Sequence, residues 1–245
     1  MHFKTSITNL KNGQEIIRGV PLQKLIKQAS FVETIWLILT GKKIKNQKEK
    51  IMLEALLVAA IDHGPGTASA LTARISTSAK NPTHVALAAG ILGFGERHGM
   101  AVEGAMEFFA ERTKNKEQNE IFLAKEITKL KEDKVRIPGF GHKILAHDSR
   151  VDALFSVAKS TGFFLEHCQL ALQVEKVLKK ISSKPVPLNI DGAMAAVLCD
   201  LKVDAALGPA FFLISRVPGL LAHIYEEQKS DAGLRRLEEN EVEFV

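Results

Sequence analysis

Apolar residues recur along this chain at the three- to four-residue spacing of α-helices, and this periodicity restricts the fold more than any other feature. Ser30 and Glu33 form a capping-box pair, and Asn46 can cap the helix that follows it. No alternating run is long enough for a central strand, although residues 1–20, around Asn12-Gly13, predict a short hairpin. The sequence therefore predicts an all-α protein, with helices at 35–39, 52–61, 85–93 (capped by Thr83), 118–132, 151–159, 164–180, 192–201, 206–216 and 220–228.

Composition limits the kinds of ligand that the protein can bind and the cellular compartment in which we expect it. With 245 residues and 46% hydrophobic content, the chain can bury roughly three quarters of its unfolded surface, enough for one or two compact units. The net charge of +5 suits an anionic ligand, but the lysines are scattered and the 6% aromatic content is thin for base stacking, so we expect no nucleic-acid binding. Cys168 and Cys199 lie in apolar helical patterns, as expected of reduced, buried thiols. Arg216 and Pro218 interrupt the apolar stretch 205–223 and the first residues include no apolar signal region, so we expect no membrane association and a cytoplasmic location.

Four loops between the helices combine glycine with His or Asp. Glycine lets the backbone approach a ligand closely, and helix starts offer free N–H groups to anions, so such loops are typical of ligand sites. Taken one at a time, each loop is better explained as a turn whose polar residue caps a helix. The four segments are Asp62-His63-Gly64-Pro65, Gly95-Glu96-Arg97-His98-Gly99, Pro138-Gly139-Phe140-Gly141-His142-Lys143 and Leu188-Asn189-Ile190-Asp191-Gly192.

Several other chemistries fit the sequence less well. Gly93-Phe94-Gly95 lacks the third glycine of a dinucleotide fingerprint and follows a helical rather than a strand pattern. The spacing of His142 and His147 matches no established metal-ligand motif. A G-x-S-x-G elbow is absent, and neither cysteine lies in a loop beside a basic residue. Acid-base catalysis by the His and Asp residues of these loops therefore fits the sequence better than the chemistries above.

In their order and wording, these segments resemble the citrate synthase superfamily. PGFGHK is similar to its G-[FIY]-G-H motif, LNIDG to its N-[VI]-D motif and FFLISRVPGLLAHIYEE to its arginine-bearing late helix. Only about twenty residues separate Gly41 from the DHGPGTASALTAR segment, and this compactness resembles the citryl-CoA lyase branch, including the C-terminal module of ATP-citrate lyase. The resemblance implies an all-α homodimer with a large helical domain (1–98 and 195–245), an inserted small lid domain (99–194) and an active site in the cleft.

The resemblance also implies a catalytic set. His142 would exchange a proton with the oxygen that is carbonyl in oxaloacetate and hydroxyl in citryl-CoA, while Asp191 would exchange one with the acetyl carbon. Burial must raise the pKa of Asp191 for this role. His98 matches the histidine that stabilises the enolate oxygen. At this point the ATP-citrate lyase module resembles "RFGG", whereas this chain has Arg97-His98-Gly99-Met100.

Binding residues follow from the same resemblance. Guanidinium groups match carboxylates in geometry, and the resemblance assigns this role to Arg150, Arg216 and Arg236, the last reaching the partner subunit's site. His63 would hydrogen-bond the same ligand. Ser149 stands where the family wording is D-P-R, a departure at Arg150. Coenzyme A, as the acyl-CoA substrate, would lie along the backbone of Gly139, Phe140 and Gly141 with Lys143 near its phosphates, and no metal is expected.

Two alternatives stay open at this point. A compact citrate synthase, or a relative that uses another 2-oxo acid, would carry the same residues but hydrolyse the thioester. A non-catalytic subunit that binds coenzyme A or citrate would need no proton-transfer set. Citrate activation by ATP would require a separate protein, since the sequence has no ATP-grasp or phosphohistidine segment. The remaining histidines of the helical segments, His84, His147, His167 and His223, are interpreted as structural or surface residues.

Overall fold

The N-terminal arm is a small antiparallel sheet. The computed structural model describes residues 2–114, 120–141, 146–230, 232–243 and 245. Strands β1 (Thr8–Lys11) and β2 (Gln14–Ile17) pair around the Asn12-Gly13 turn, which confirms the predicted hairpin, and β3 (Val20–Pro21) pairs with β2. The Arg18 side chain donates to the Ile38 carbonyl and to Ser6 Oγ, so it ties the arm to the first long helix.

The rest of the described chain is helical. Two predicted helix starts are confirmed, since Ser30 and Glu33 form a reciprocal capping box and Asn46 accepts a hydrogen bond from the N–H of Glu49. The predicted cap at Thr83 is wrong, because the helix begins at that residue and Pro82 precedes it without a side-chain hydrogen bond. The helices are α1 (Leu22–Gln28), α2 (Phe31–Thr40), α3 (Gln47–Ala59), α4 (Ala68–Ser78), α5 (Thr83–Leu92), α6 (Ala101–Thr113), α7 (Glu120–Glu132), α8 (Ser149–Thr161), α9 (Glu166–Ile181), α10 (Ile190–Asp200) and α11 (Gly208–Ser230), with short 3-10 turns at Ala205–Leu207 and Glu239–Glu241.

The core is organised around α10, which is rich in alanine and apolar on nearly all sides. A helix of this composition is stable only when other helices surround it. Helices α6, α8, α9 and α11 all contact α10, and the residues from Gly192 to Leu198 are buried. The first turn of α10, which carries Asp191, is thereby held by the core of the protein.

Helix α11 corrects the sequence prediction. Pro218 was expected to separate two helices, but one helix of 23 residues runs from Gly208 to Ser230. Pro218 removes a single backbone hydrogen bond and is exposed, whereas α11 packs against α3, α4, α5, α6 and α10 on both sides of it. With the preceding turn, the helix (205–230) is long and apolar enough to span a membrane by length and composition alone. It carries the buried charges Arg216 and Glu227 and forms part of the helical core.

The sequence prediction differs from the structure in three helices, and it is compared below for the cysteines and the domain division. Helices α1, α4 and α6 were absent from the prediction. Both cysteines are free thiols, and burial raises the pKa of each. The division into a large domain (1–98 with 195–245) and a lid (99–194) stays a prediction. Helix α6 packs against α10, and α8 packs against α10 and α3, so these contacts alone do not separate two domains.

Candidate active site

Two of the predicted loops lie side by side at the start of α10. Asn189 caps the helix by accepting from the N–H of Gly192, and its side-chain amide donates to the carbonyl of Gly141 at 2.9 Å. Its own N–H donates to the carbonyl of Gly139 at 3.1 Å. Phe140 also forms an isolated bridge with Leu188, so the PGFG loop and the LNIDG segment form one backbone unit.

This unit requires glycine at two positions. Gly139 has a φ of +82°, which L side chains rarely adopt, and a Cβ added to it would lie 2.5 Å from the Cα of Gly192. A Cβ on Gly192 would lie 2.4 Å from the carbonyl oxygen of Gly139. No side chain fits at either position without separating the loop from α10.

Asp191 lies in the first turn of α10, partly exposed at the edge of the core. Loss of hydration on burial raises its pKa from 3.8 to about 6, against the opposing effects of Arg216, Arg150 and a hydrogen bond from the N–H of Gly99. A carboxyl group with this pKa is present in both protonation states near neutral pH. It can therefore give and take a proton, as a general acid-base group must.

Arg150 lies near Asp191 in the first turn of α8. Its Nε and one terminal nitrogen donate to the two oxygens of Asp148 at 2.8 and 2.7 Å, and Asp148 also accepts from the N–H of Ile190. Burial disfavours the charge on Asp148, but the hydrogen bonds and charge of Arg150 outweigh it and lower the pKa of Asp148. The second terminal nitrogen of Arg150 is buried and has no hydrogen-bond partner among the described residues.

Arg216 supplies a second cation from the middle of α11. The residue is 2% exposed, its Nε donates to the carbonyl of Ala60 at 2.7 Å, and its guanidinium lies over the ring of Phe212. One terminal nitrogen of Arg216 is also buried without a partner among the described residues. A buried donor without an acceptor is costly, so these two guanidinium nitrogens near one carboxyl group are suited to bind the acceptor oxygens of an anionic ligand.

His98 lies in the tight turn between α5 and α6. Its Nε2 is 2.8 Å from Ser69 Oγ and its ring stacks on Phe94, so two contacts fix the orientation of the imidazole. The next residue, Gly99, donates its N–H to Asp191. The chain therefore places the imidazole of His98 and the carboxyl group of Asp191 on adjacent backbone segments.

The other predicted site residues differ in their placement. His63 is exposed on the loop before α4, and Arg236 is exposed in the tail after α11. Phe140 is 2% exposed and packs on Phe109, so ligand contacts in this loop are left to the backbone of its glycines. His142 and Lys143 lie outside the described residues.

Sequence reasoning missed the groups that hold this site together. Asp148 directly precedes Ser149, and Ser69 lies in the DHGPGTASALTAR segment, but only the fold shows that they contact Arg150 and His98. Among the residues that the structure describes, no group of three His, Cys, Asp or Glu side chains is arranged to hold a metal ion. A surface groove of about 570 Å³, lined by residues of α7 and by Lys180 of α9, includes none of the predicted site residues.

Comparison with known proteins assigns the fold and the family. The model of the citrate synthase C-terminal domain matches residues 41–237, and the chain belongs to this family. The all-α, citrate synthase-like prediction is thereby confirmed. Within the family, a solved structure of citryl-CoA lyase from Hydrogenobacter thermophilus is 38% identical, with a TM-score of 0.90 over 99% of this chain and 94% of that one.

Longer relatives match over part of their length. ATP-citrate synthase beta chain protein 1 of Arabidopsis thaliana is 24% identical over 252 residues, covering 96% of this chain and 41% of the relative. The chain thus spans about two fifths of the length of the curated relative. The D541A mutant of Methanosaeta concilii ATP citrate lyase, solved in complex with (3S)-citryl-CoA, has a TM-score of 0.87 at 21% identity, covers 100% of this chain and 42% of that one, and shares the fold.

Proposed function

We propose that this chain is a citryl-CoA lyase that cleaves citryl-CoA to acetyl-CoA and oxaloacetate. The observation that carries the proposal is a pair of buried guanidinium nitrogens, on Arg150 and Arg216, that have no partner among the described residues and lie near a carboxyl group with a pKa of about 6. Citryl-CoA needs cations for its carboxylates and a proton for its departing carbon, and this arrangement offers both. The likeness to the citryl-CoA lyase of Hydrogenobacter thermophilus supports the choice of substrate.

The cleavage requires two proton transfers. By resemblance, His142 takes the hydroxyl proton, the carbon-oxygen bond becomes the carbonyl of oxaloacetate, and the carbon-carbon bond breaks with its electron pair moving to the thioester enolate. Asp191 then gives its proton to the enolate carbon, which becomes the methyl group of acetyl-CoA. His98, held by Ser69 and Phe94, donates toward the enolate oxygen, where negative charge develops.

Substrate binding follows from the unpartnered donors. Each buried N–H group that gains a carboxylate oxygen removes the desolvation cost of a buried donor without an acceptor. By resemblance, the coenzyme A portion lies along the backbone of the Gly139–Gly141 loop, and Lys143 would bind its phosphates. The citryl-CoA complex of the Methanosaeta concilii protein supports a thioester ligand in this fold. Closure of residues 99–194 over the ligand would exclude water from the thioester.

A compact citrate synthase, or a relative that uses another 2-oxo acid, is the competing proposal. The same residues would run the carbon-carbon step in reverse, and hydrolysis of the thioester would follow. The test supplies citryl-CoA to the purified chain and follows oxaloacetate with a coupled malate dehydrogenase assay. Oxaloacetate formation that requires Asp191 supports the lyase, whereas wild-type protein that forms no oxaloacetate contradicts it.

We also propose that the working form is a homodimer. Helices α4 and α5 pack on each other, and each exposes an apolar stripe, with Leu71 and Ile75 on α4 and Val85 and Leu92 on α5. Exposed apolar stripes of this kind suit a second copy of the chain. By resemblance to ATP-citrate lyase, we further propose that a separate protein activates citrate.

The dimer proposal places Arg236 of one copy in the site of the other. An Arg236→Ala chain mixed with an inactive His142→Ala chain should then recover activity, because one site of the mixed dimer combines both intact residues. Reassembled mixtures that are no more active than either parent would exclude Arg236 from the partner's site.

A further inference from the structure

A partly buried chain of polar side chains runs from α4 through α11 to the loop that carries His63. His223 lies two turns after Arg216 on the same face of α11. Its Nε2 is 3.1 Å from Asp62 Oδ1, and its Nδ1 is 3.3 Å from a terminal nitrogen of Arg74. The imidazole therefore bridges an arginine of α4 and the aspartate beside His63.

The chemistry of Arg74 fixes the direction of these hydrogen bonds. A guanidinium group has donors only, so Nδ1 of His223 must accept the hydrogen bond and Nε2 must donate to Asp62. Arg74 is itself held by Glu227, which is 4% exposed and lies 2.9 Å from the other terminal nitrogen of Arg74. Glu227 also accepts from Nε of Arg235 at 2.7 Å. Both terminal nitrogens of Arg74 are thus constrained.

The Asp62 end of the chain shapes the loop before α4. Asp62 accepts from the N–H of Gly64 at 2.9 Å, which closes a turn around His63. The preceding carbonyl, of Ile61, packs so closely on α11 that a Cβ added to Gly219 would lie 2.3 Å from its oxygen. One residue earlier, the carbonyl of Ala60 accepts the hydrogen bond from Nε of Arg216. The segment 60–64 therefore both orients the guanidinium of Arg216 and presents His63.

We propose that Arg74 and His223 are positioning residues for substrate binding, which hold segment 60–64 so that Arg216 and His63 face the carboxylates of the ligand. The proposal rests on the proposed function and assigns a role to two residues that touch no reacting atom. Loss of either residue releases Asp62 and lets the segment move. Since such movement weakens binding of the ground state and of the transition state alike, KM should rise while kcat stays nearly constant.

The test uses four variants. His223→Ala removes both hydrogen bonds, and Arg74→Lys keeps the charge but cannot contact His223 and Glu227 together, because lysine lacks the fork geometry of arginine. His223→Gln keeps an amide that can donate to Asp62 and tests for rescue. Glu226→Gln is the matched control, since Glu226 is an exposed partner of Arg74 that lies 4.0 Å from Nδ1 of His223, and its loss leaves the contacts of Arg74 with His223 and Glu227 in place.

We expect His223→Ala and Arg74→Lys to raise KM for citryl-CoA about 10- to 100-fold, with kcat within about threefold of wild type. His223→Gln should recover part of the loss, and Glu226→Gln should leave KM unchanged. The dissociation constant of oxaloacetate, measured calorimetrically, should rise by the same factor as KM. This second measurement separates the two proposals: wild-type protein that binds oxaloacetate but forms none from citryl-CoA contradicts the lyase function alone.

Folded variants whose KM and oxaloacetate affinity match wild type would overturn the positioning role. If His223→Ala does not fold, Arg74→Lys and His223→Gln decide the question with the same two measurements. A fall in melting temperature without any change in KM or in oxaloacetate affinity would assign the polar chain to stability and would also overturn the proposal.

Discussion

Replacing Asp191 by asparagine should separate stability from catalysis. The side chain keeps its size and an oxygen for the N–H of Gly99, but it can neither ionise nor deliver a proton. A change in pKa from 3.8 to about 6 corresponds to about 3 kcal/mol of preference for the neutral form. Because Asp191 is partly exposed, we expect Asp191→Asn to raise the free energy of unfolding by about 1–3 kcal/mol at pH 7 and above.

The sign of this effect depends on pH. The folded state binds the Asp191 proton more tightly than the unfolded state, so wild-type stability falls as the pH rises from the unfolded pKa of 3.8 to the folded value of about 6. Well below pH 3.8 the aspartate is protonated in both states, and the two proteins should be equally stable. Urea titrations between pH 4 and pH 8 measure the difference.

Turnover of Asp191→Asn should fall, although its stability rises. At pH 7 a group with a pKa of about 6 is about one tenth protonated, whereas an ordinary aspartate is protonated in roughly one molecule in a thousand. Loss of a positioned acid typically costs 10²–10⁴ in rate, so turnover of citryl-CoA by Asp191→Asn should fall by about that factor while the variant still binds the thioester. A folded variant with near-normal turnover would remove Asp191 from the mechanism, and a less stable one at pH 7 would refute the burial argument.

Three further predictions concern the framework of the site. Asp200→Ala should lower the free energy of unfolding by about 2–4 kcal/mol in urea titrations, because the buried carboxylate accepts three backbone N–H groups at the start of α9. Its folded pKa is lowered, so its contribution should be present above pH 4 and lost as the pH falls through the folded value. Gly192→Ala should reduce turnover by at least about tenfold or prevent folding, checked by circular dichroism and the oxaloacetate assay, because its Cβ would meet the carbonyl of Gly139. Arg150→Lys should raise KM for citryl-CoA by about tenfold in steady-state kinetics, with the matched change at Arg216 acting in the same direction.

The sequence predicted those parts of the fold that local signals determine. The capping box at Ser30 and the Asn46 cap depend on residues three apart, and both were confirmed. The single helix across Pro218 could not be predicted, because packing of α11 against five other helices overrides a local preference. Helix α4 was missed for a related reason: it begins at Ala68, directly after the DHGPG loop, and the glycines and proline of that loop obscure the helical pattern.

In the candidate site too, local motifs could be predicted from the sequence, whereas contacts between distant residues could not. Asp191, His98, Arg150 and Arg216 were predicted because each stands in a short motif, and their roles stay predictions. The structure places Arg150, Arg216 and the N–H of Gly99, the residue after His98, near Asp191. Their supporting contacts join distant parts of the chain, as in the pair of Asp62 and His223. His223 was therefore interpreted as an ordinary structural histidine, since nothing in its local sequence indicates its partner.

The fate of the thioester tests the central proposal most directly. Wild-type protein is given citryl-CoA, and oxaloacetate is followed by malate dehydrogenase while free thiol is measured in a parallel sample. Both are compared with Asp191→Asn as the background. A lyase releases oxaloacetate and keeps coenzyme A acetylated, so oxaloacetate should form faster than thiol. Thiol release that exceeds oxaloacetate formation would contradict the lyase and favour a compact citrate synthase.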